Sequence, residues 1–600
     1  MPPTPTRGRI SSAGAGRALV AVVAVACGPL MGCSTTRLTQ PTVGFASPAP
    51  PAALAAAPAA DVETLYARAV AREQAGDRAC LDDYAACCRL LWPELTSSVA
   101  AASHGPDRRV ELYNSSVARL VVAGRTFGAF DAVQGLRLAG GHVPVETVGF
   151  GWRPDEIVEI EPVRPYRPPG GIEPKRHAGL GCPVLVTHRT DRPFVEPVGV
   201  GPATVTYSVA DDGSPRVRLI NPGRVRALPT AGGVVPVGYD MTAPTAYYAD
   251  KYASAWIDGF RTADEGDERR YGLVMIEPYR PGKIPVLFVH GLASDPTTWM
   301  PMLNELVGDP AIASRYQFWF FWYPTGKPFV GEAATLRREL RALRDHVDPA
   351  RRDPALDRLV LVGHSMGGLI SKLQVTASGD RLANAIFNKP VDQLRMPADA
   401  GRSLRAALFF EPTPEVSRVV FIGTPHGGSQ FAGNLVGRLA KNLVRLPQDA
   451  LDDFAELRAM NGDALRTKNA SIPTSIDLLR PDNPVLGEVA RLPVATRVRM
   501  HSVIGVGHTR WLTGEKGDGV VALKSARHPG VDSEKLVDAD HVGVHAHPDT
   551  FAEVKRILYA HAGPAAPRPV AGVTDLQNAT APGRQLPRPA ATAFATPVIY

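Results

Sequence analysis

Residues 359–375 read Leu-Val-Leu-Val-Gly-His-Ser-Met-Gly-Gly-Leu-Ile-Ser-Lys-Leu-Gln-Val. The four aliphatic residues Leu359–Val362 predict a strand buried on both faces. Gly363, Ser365 and Gly367 then make a G-x-S-x-G turn, and Leu369–Val375 predicts a helix. A strand that turns directly into a helix leaves no room for side chains beside the turn, hence glycine at 363 and 367. Ser365 Oγ is expected to stand above the sheet, with the Met366 amide pointing into the same space from the helix amino terminus.

The same texture extends outward. Gly272–Ile276, Ile284–Val289, Tyr316–Trp322 and Val419–Ile422 are further near-continuous apolar runs. Between them lie helical stretches such as Glu332–Val347, with Leu336, Leu340 and Leu343 on one face. Alternation of this kind predicts an α/β fold with a mostly parallel, doubly wound sheet. His290-Gly291-Leu292 directly follows the Ile284–Val289 run, where a second backbone donor is needed. The Leu292 and Met366 amides are the expected oxyanion pair, and His290 reads as a structural member of that loop.

On these residues the chain resembles the α/β-hydrolase family, in its lipase-like branch. The resemblance covers about 270–562 and is carried by GHSMGG at 363–368, FVHGLASDPTTW at 288–299, VVFIGTPHGGS at 419–429 and GDGVV at 517–521. It implies the chain order nucleophile, acid, histidine, with the acid and histidine on loops after the last strands. Asp518 matches the acid position, against Glu515, Asp532, Asp538 and Asp540 as competitors. His541 follows the strand-like Glu534–Val537 and matches the histidine position, while His545 and His547 stand before a terminal helix. The implied chemistry is ester cleavage through Ser365, or acyl transfer through the same three residues, and needs no cofactor and no metal. A vestigial domain serving as an envelope scaffold is the alternative from a different class. Insertions at 374–416 and 425–497 are expected to form a helical cap, the second carrying Phe431, Leu435, Leu439, Leu443 and Val444.

The rest of the 600 residues must fold elsewhere, because single cores stop growing near roughly 250–300 residues. Arg7, Arg9 and Arg17 precede the apolar run Ala18–Ala26, which reads as an export signal over 1–32 and is too short to span a bilayer. Leu30-Met31-Gly32-Cys33 resembles a bacterial lipobox, implying lipidation of Cys33 and attachment to an envelope membrane. Ser34 after it resembles the Gram-negative pattern for the outer membrane. Residues 33–60 read as a Pro/Ala-rich tether and 563–600 as a disordered tail. Between them, 61–235 is expected to form a smaller accessory module, α+β or mostly β, ahead of the hydrolase-like domain at 236–562. Helical character covers 61–95, and short β-like runs follow, among them Val110-Glu-Leu-Tyr, Val117-Ala-Arg-Leu-Val-Val and Pro183-Val-Leu-Val-Thr.

Net charge is +7, and loss of the three signal arginines would lower it to +4. No dense basic run accompanies it, so nucleic acid is not an expected partner. The expected partners are an acyl ester or lipid substrate and a membrane; what the accessory module binds is left open. Six cysteines lack paired metal-site spacing. An envelope location would permit disulfides among Cys80, Cys87, Cys88 and Cys182, against the alternative of buried free thiols.

Overall fold

The computed structural model describes residues 57–97, 107–251 (save 165, 167, 169–171, 211, 231 and 232), 271–429, 457–509 (save 463 and 467–473) and 514–563. The expected signal, Cys33, the tether up to 56, the tail from 564 and the cap residues Phe431–Val444 lie outside these described residues.

Three helices open the described chain: α1 (Ala57–Gln74), α2 (Cys80–Thr96) and α3 (Arg108–Thr126). Helix α1 begins four residues inside the stretch expected to be tether. Helix α2 buries Leu81, Tyr84, Cys88, Leu91 and Leu95, the three-to-four spacing that turns one face to a core. Its buried Asp83 meets Arg68 and Arg72 of α1, each at 2.8 Å. Helix α3 corrects the expectation of strands at Val110–Tyr113 and Val117–Val122. Asp107 caps it by accepting from the Arg109 amide, and Leu112, Tyr113, Ser116, Val117, Leu120 and Val121 form its buried face.

A five-stranded sheet follows, made of β1 (Val145–Val148), β2 (Ile157–Pro162), β3 (Cys182–Arg189), β4 (Val198–Val209) and β5 (Pro215–Ile220). Its order is β1-β5-β4-β3-β2, antiparallel except for the β1–β5 pair. This part of the chain is therefore α+β, not mostly β. Cys182, Val184 and Val186 alternate inward along β3, the period of two that a half-covered sheet requires. Cys80, Cys87, Cys88 and Cys182 are all buried free thiols. Burial pushes Cys80 and Cys87 up to about 11 and Cys182 to about 12, so none is a ready thiolate.

After α4 (Thr242–Lys251) comes a second sheet. Its elements are β6 (Gly272–Met275), β7 (Ile284–Val289), α5 (Met300–Gly308), β8 (Tyr316–Trp322), α6 (Phe329–Val347), β9 (Leu359–His364), α7 (Met366–Lys372), α8 (Arg381–Ile386), α9 (Ala398–Leu408), β10 (Val416–Ile422), α10 (Ser475–Leu478), α11 (Pro484–Arg491), β11 (Arg499–Gly505), β12 (Ser533–Val537) and α12 (Pro548–Ala562). The strand order is β6-β8-β7-β9-β10-β11-β12, and only the β6–β8 pair is antiparallel. Every residue of β7 and β9 is buried. Alternate side chains feed two separate cores: Leu287, Val289 and Leu361 pack with α6 and α7, while Val286, Phe288, Val360 and Val362 pack with α5 and α12. Helices on both faces account for strands with no polar side. Among the described residues no helix is long and apolar enough to cross a membrane.

The two sheets are joined by hydrogen bonds. Arg226 donates to the carbonyls of Val307 and Gly308, Asn304 donates to the Glu173 carbonyl at 2.9 Å, and the Glu196 amide donates to the Met275 carbonyl at 2.9 Å. The described parts of the two insertions, α8 and α9 in one and α10 and α11 in the other, are bridged at Phe387–Leu465.

Candidate active site

At the carboxyl end of β9 the chain reverses at Ser365, which has φ +52° and ψ −123° and precedes α7. A non-glycine residue in the left-handed region stores backbone strain, held here by packing on every side. A Cβ at Gly363 would fall on the backbone of Gly367, and one at Gly367 on the Val289 and His290 carbonyls. Glycine at both positions is thus a steric requirement of the reversal. The Ser365 amide donates to the Ile422 carbonyl of β10 at 2.9 Å, fixing the turn to its neighbour strand.

His541 arrives on the loop after β12. Its Nε2 lies 2.9 Å from Ser365 Oγ and its Nδ1 2.6 Å from Asp518 Oδ2. The Asp518 side chain is 1% exposed. Its other oxygen accepts from the amides of Val520 at 2.9 Å and Val521 at 2.6 Å. Gly517-Asp518-Gly519-Val-Val is therefore a side-chain-closed turn, with Gly519 at φ +92°. The His541 amide also donates to the Asp518 carbonyl at 2.8 Å, so the two loops hold each other in register. Sequence reasoning named all three residues, and the structure brings them into one hydrogen-bonded row. The competitors sit elsewhere: Glu515 pairs with Lys524, Asp532 with Arg499, and Asp540 accepts from the Gly543 amide.

The loop after β7 passes against the serine, since a Cβ at Gly291 would lie 3.1 Å from Ser365 Cβ. This is the loop that carries Leu292. Met366 is the first residue of α7, so its amide has no carbonyl partner within the helix and remains available as a donor. His290 is wholly buried, stacks on Tyr323 at 4.3 Å and is lowered by desolvation to about 4. It is a structural ring, as the sequence implied.

Sequence reasoning missed the support beneath His541. His364 Nε2 lies 3.0 Å from the His541 carbonyl, and a carbonyl only accepts, so Nε2 carries the proton. The His364 ring packs 5.0 Å from that of His541 and 4.4 Å from that of His545. Burial, reinforced by the neighbouring histidines, holds His364 well below its ordinary value and keeps it neutral. His545, also depressed by burial to about 4, reaches Thr298 Oγ1 at 2.5 Å, on the segment following the Leu292 loop. His547 caps the terminal helix α12, its side chain accepting from the Asp549 amide. Gly423, at φ +55°, is a second omission: a Cβ there would approach Asp518 Oδ2 at 3.4 Å and His541 Nδ1 at 3.5 Å. It belongs to the GTPHGGS stretch, so the motif marked the segment without revealing what it faces. Ser429 and Ser525 tie that segment to the acid loop through the Val520 and Gly428 carbonyls. Among the described residues, no group of three or more His, Cys, Asp or Glu could hold a metal ion.

Residues 280–389, from the loop before β7 to just beyond α8, match the family model described as PGAP1-like alpha/beta domain. The domain has the α/β-hydrolase fold. No curated protein matches the chain. Among solved structures, the α/β-hydrolase domain is similar to Bacillus licheniformis lipase BlEst2 in its mature form, at 20% identity over 46% of this chain and 93% of that one, TM-score 0.28. It is also similar to lipase 1 from Pelosinus fermentans, at 14% identity over 48% of this chain and 100% of that one, TM-score 0.28.

Proposed function

We propose that this protein is a serine hydrolase that cleaves carboxylic esters through an acyl-enzyme on Ser365. The observation that carries the reading is the unbroken row from buried Asp518 through His541 to Ser365 Oγ, at 2.6 and 2.9 Å. In this reading Oγ attacks the ester carbonyl while His541 Nε2 takes its proton. The oxygen that gains charge is received by the Met366 and Leu292 amides. His541 then protonates the departing alcohol and afterwards removes a proton from the water that releases the acid. Asp518 holds the imidazole in the tautomer with Nδ1 protonated and stabilises the imidazolium. Lipidation at Cys33 would hold the enzyme at an envelope membrane, which makes lipid esters its natural supply of substrate.

The test is Ser365→Ala, which should abolish hydrolysis of chromogenic acyl esters and labelling by a fluorophosphonate while leaving the fold intact. Undiminished turnover in that variant would refute the reading. In the same experiment wild-type activity should sediment with membranes and become soluble in Cys33→Ser, and products formed with competing alcohols separate hydrolysis from acyl transfer.

A further inference from the structure

The loop carrying Leu292 and the loop carrying His541 reach Ser365 from distant parts of the chain, yet acyl transfer needs both at fixed distances from one oxygen. The first leaves β7 at His290 and is strained, with Ala293 at φ +59° and its amide donating to Thr325 Oγ1 at 3.3 Å. Asp295 Oδ1 then accepts from the Thr297 amide at 2.7 Å and the Thr297 hydroxyl at 2.6 Å, closing the short turn Pro296–Trp299. A strained loop keeps its shape only while both ends are held. Its near end is β7 itself. At its far end Trp299 is wholly buried against Phe288, ring centroids 4.9 Å apart, and Thr298 Oγ1 lies 2.5 Å from His545 Nε2.

His545 in turn is built into the same turn as His541. The Gly543 amide donates to Asp540 Oδ1 at 2.6 Å and the Val544 amide to the Asp540 carbonyl at 2.9 Å. The Val544 carbonyl accepts from Thr550 Oγ1 at 2.6 Å, which fixes the turn to α12. The His364 ring closes the arrangement beside the nucleophile. It lies 4.4 Å from the His545 ring and 5.0 Å from that of His541, and it donates to the His541 carbonyl at 3.0 Å. Its Nδ1 would stand 3.0 Å from a Cβ at Gly291, so the same ring also backs the oxyanion loop. Burial keeps His364 and His545 neutral at pH 7, and they bring no charge to the serine. His545 does more than fill space. Its Nδ1 is buried with no hydrogen-bond partner among the described residues, a cost that an apolar ring would avoid.

We propose that His545 is a positioning residue, tying the oxyanion loop to the base loop through Thr298 so that the Leu292 amide and His541 keep one fixed relation to Ser365. The inference rests on the hydrolase reading above and names what holds its two loops together. His545 acts through Thr298 and through its own turn, so its loss displaces groups that act on the transition state. The effect therefore falls on kcat and not on KM.

The experiment is steady-state hydrolysis of a soluble p-nitrophenyl ester, and its inhibition by butylboronic acid, in the full chain and in His545→Phe, His545→Gln and Thr298→Val. In His545→Phe and Thr298→Val, kcat should fall about tenfold or more and boronate affinity with it, while KM stays within about threefold. The amide of His545→Gln still reaches Thr298 Oγ1 and should hold kcat within about threefold of the parent. A packing role gives the opposite order, with Phe active and Gln impaired. That order, or undiminished kcat in both His545→Phe and Thr298→Val, would overturn the proposal, and circular dichroism establishes that each variant is folded. Fluorophosphonate labelling of the parent separates the two readings. A labelled, active parent with undiminished variants removes the tie alone, whereas an unlabelled parent that turns over no ester removes the hydrolase reading and the tie with it.

Discussion

At the scale of single residues, the way Asp518 is held decides what an amide in its place would do. Its Oδ1 is locked by the Val520 and Val521 amides, while Oδ2 alone faces His541. In Asp518→Asn the side-chain oxygen keeps the two backbone donors, because the NH2 group cannot accept from them. The NH2 group therefore turns to His541 Nδ1 and forces that nitrogen to accept. The imidazole proton moves to Nε2, where it opposes removal of the serine proton. Ester turnover is expected to fall by about 10⁴ in kcat, the scale on which this tautomer error acts in serine proteases, with the melting temperature nearly unchanged. Steady-state kinetics with a soluble ester checks it. A variant within tenfold of the parent would mean that the Asp518–His541 contact does not orient the base.

Among the elements, α3 is fixed to β4 by one side chain. The Tyr113 hydroxyl donates to the Tyr207 carbonyl at 2.6 Å and accepts from the Tyr207 amide at 3.0 Å, with the hydroxyl wholly buried. Tyr113→Phe preserves the ring packing and strands both backbone groups, so a loss of about 2–4 kcal/mol is expected from two unmet buried partners. Urea unfolding of the two proteins measures it, and a difference below about 0.5 kcal/mol, the range of ordinary surface changes, would mean water replaces the hydroxyl. This helix also shows where the sequence misleads. Val110–Tyr113 and Val117–Val122 are β-branched and aliphatic enough to read as strands, yet Asp107 is a sound cap and the buried positions recur at helical spacing. The period, not the residue preference, carried the information. In the second sheet the strands were legible because each is apolar on both faces. The reversed direction of β6 was not, since a strand's side-chain period is the same whichever way its neighbour runs. Ser365 was legible from its local turn, and Asp518 and His541 from the chain order and motif positions that the family resemblance implies. The His364–His545–Thr298 support was not, because it links side chains as far apart as 247 positions through folding alone.

Across the whole molecule, the charges that matter most are the ones absent at neutral pH. His290, His501, His528 and His545 are buried and each is lowered to about 4, chiefly by desolvation. His364 and His426, also buried, are held well below the ordinary range for the same reason. Each binds fewer protons folded than unfolded, so unfolding takes up protons below the unfolded value of about 6.5. Their contribution to stability is complete above that pH and is lost as pH falls below it, at up to roughly 1.4 kcal/mol per pH unit for each ring. Two buried acids run the other way, Asp295, raised by desolvation, and Glu332. Glu332 is raised by burial to about 7, so the stability it contributes is present below its unfolded value near 4.5 and is lost as pH rises to 7. Six rings against two carboxyls leave the histidines in control between pH 6.5 and 4.5. Unfolding free energy, measured in urea at intervals from pH 7.5 to 4.5, should therefore fall steeply below pH 6.5. In His528→Gln that slope should shrink by the share of one ring, because Nε2 of His528 has no hydrogen-bond partner among the described residues and the amide adds no charge. A stability that stays level down to pH 4.5 would mean that these rings are hydrated and titrate normally in the folded protein.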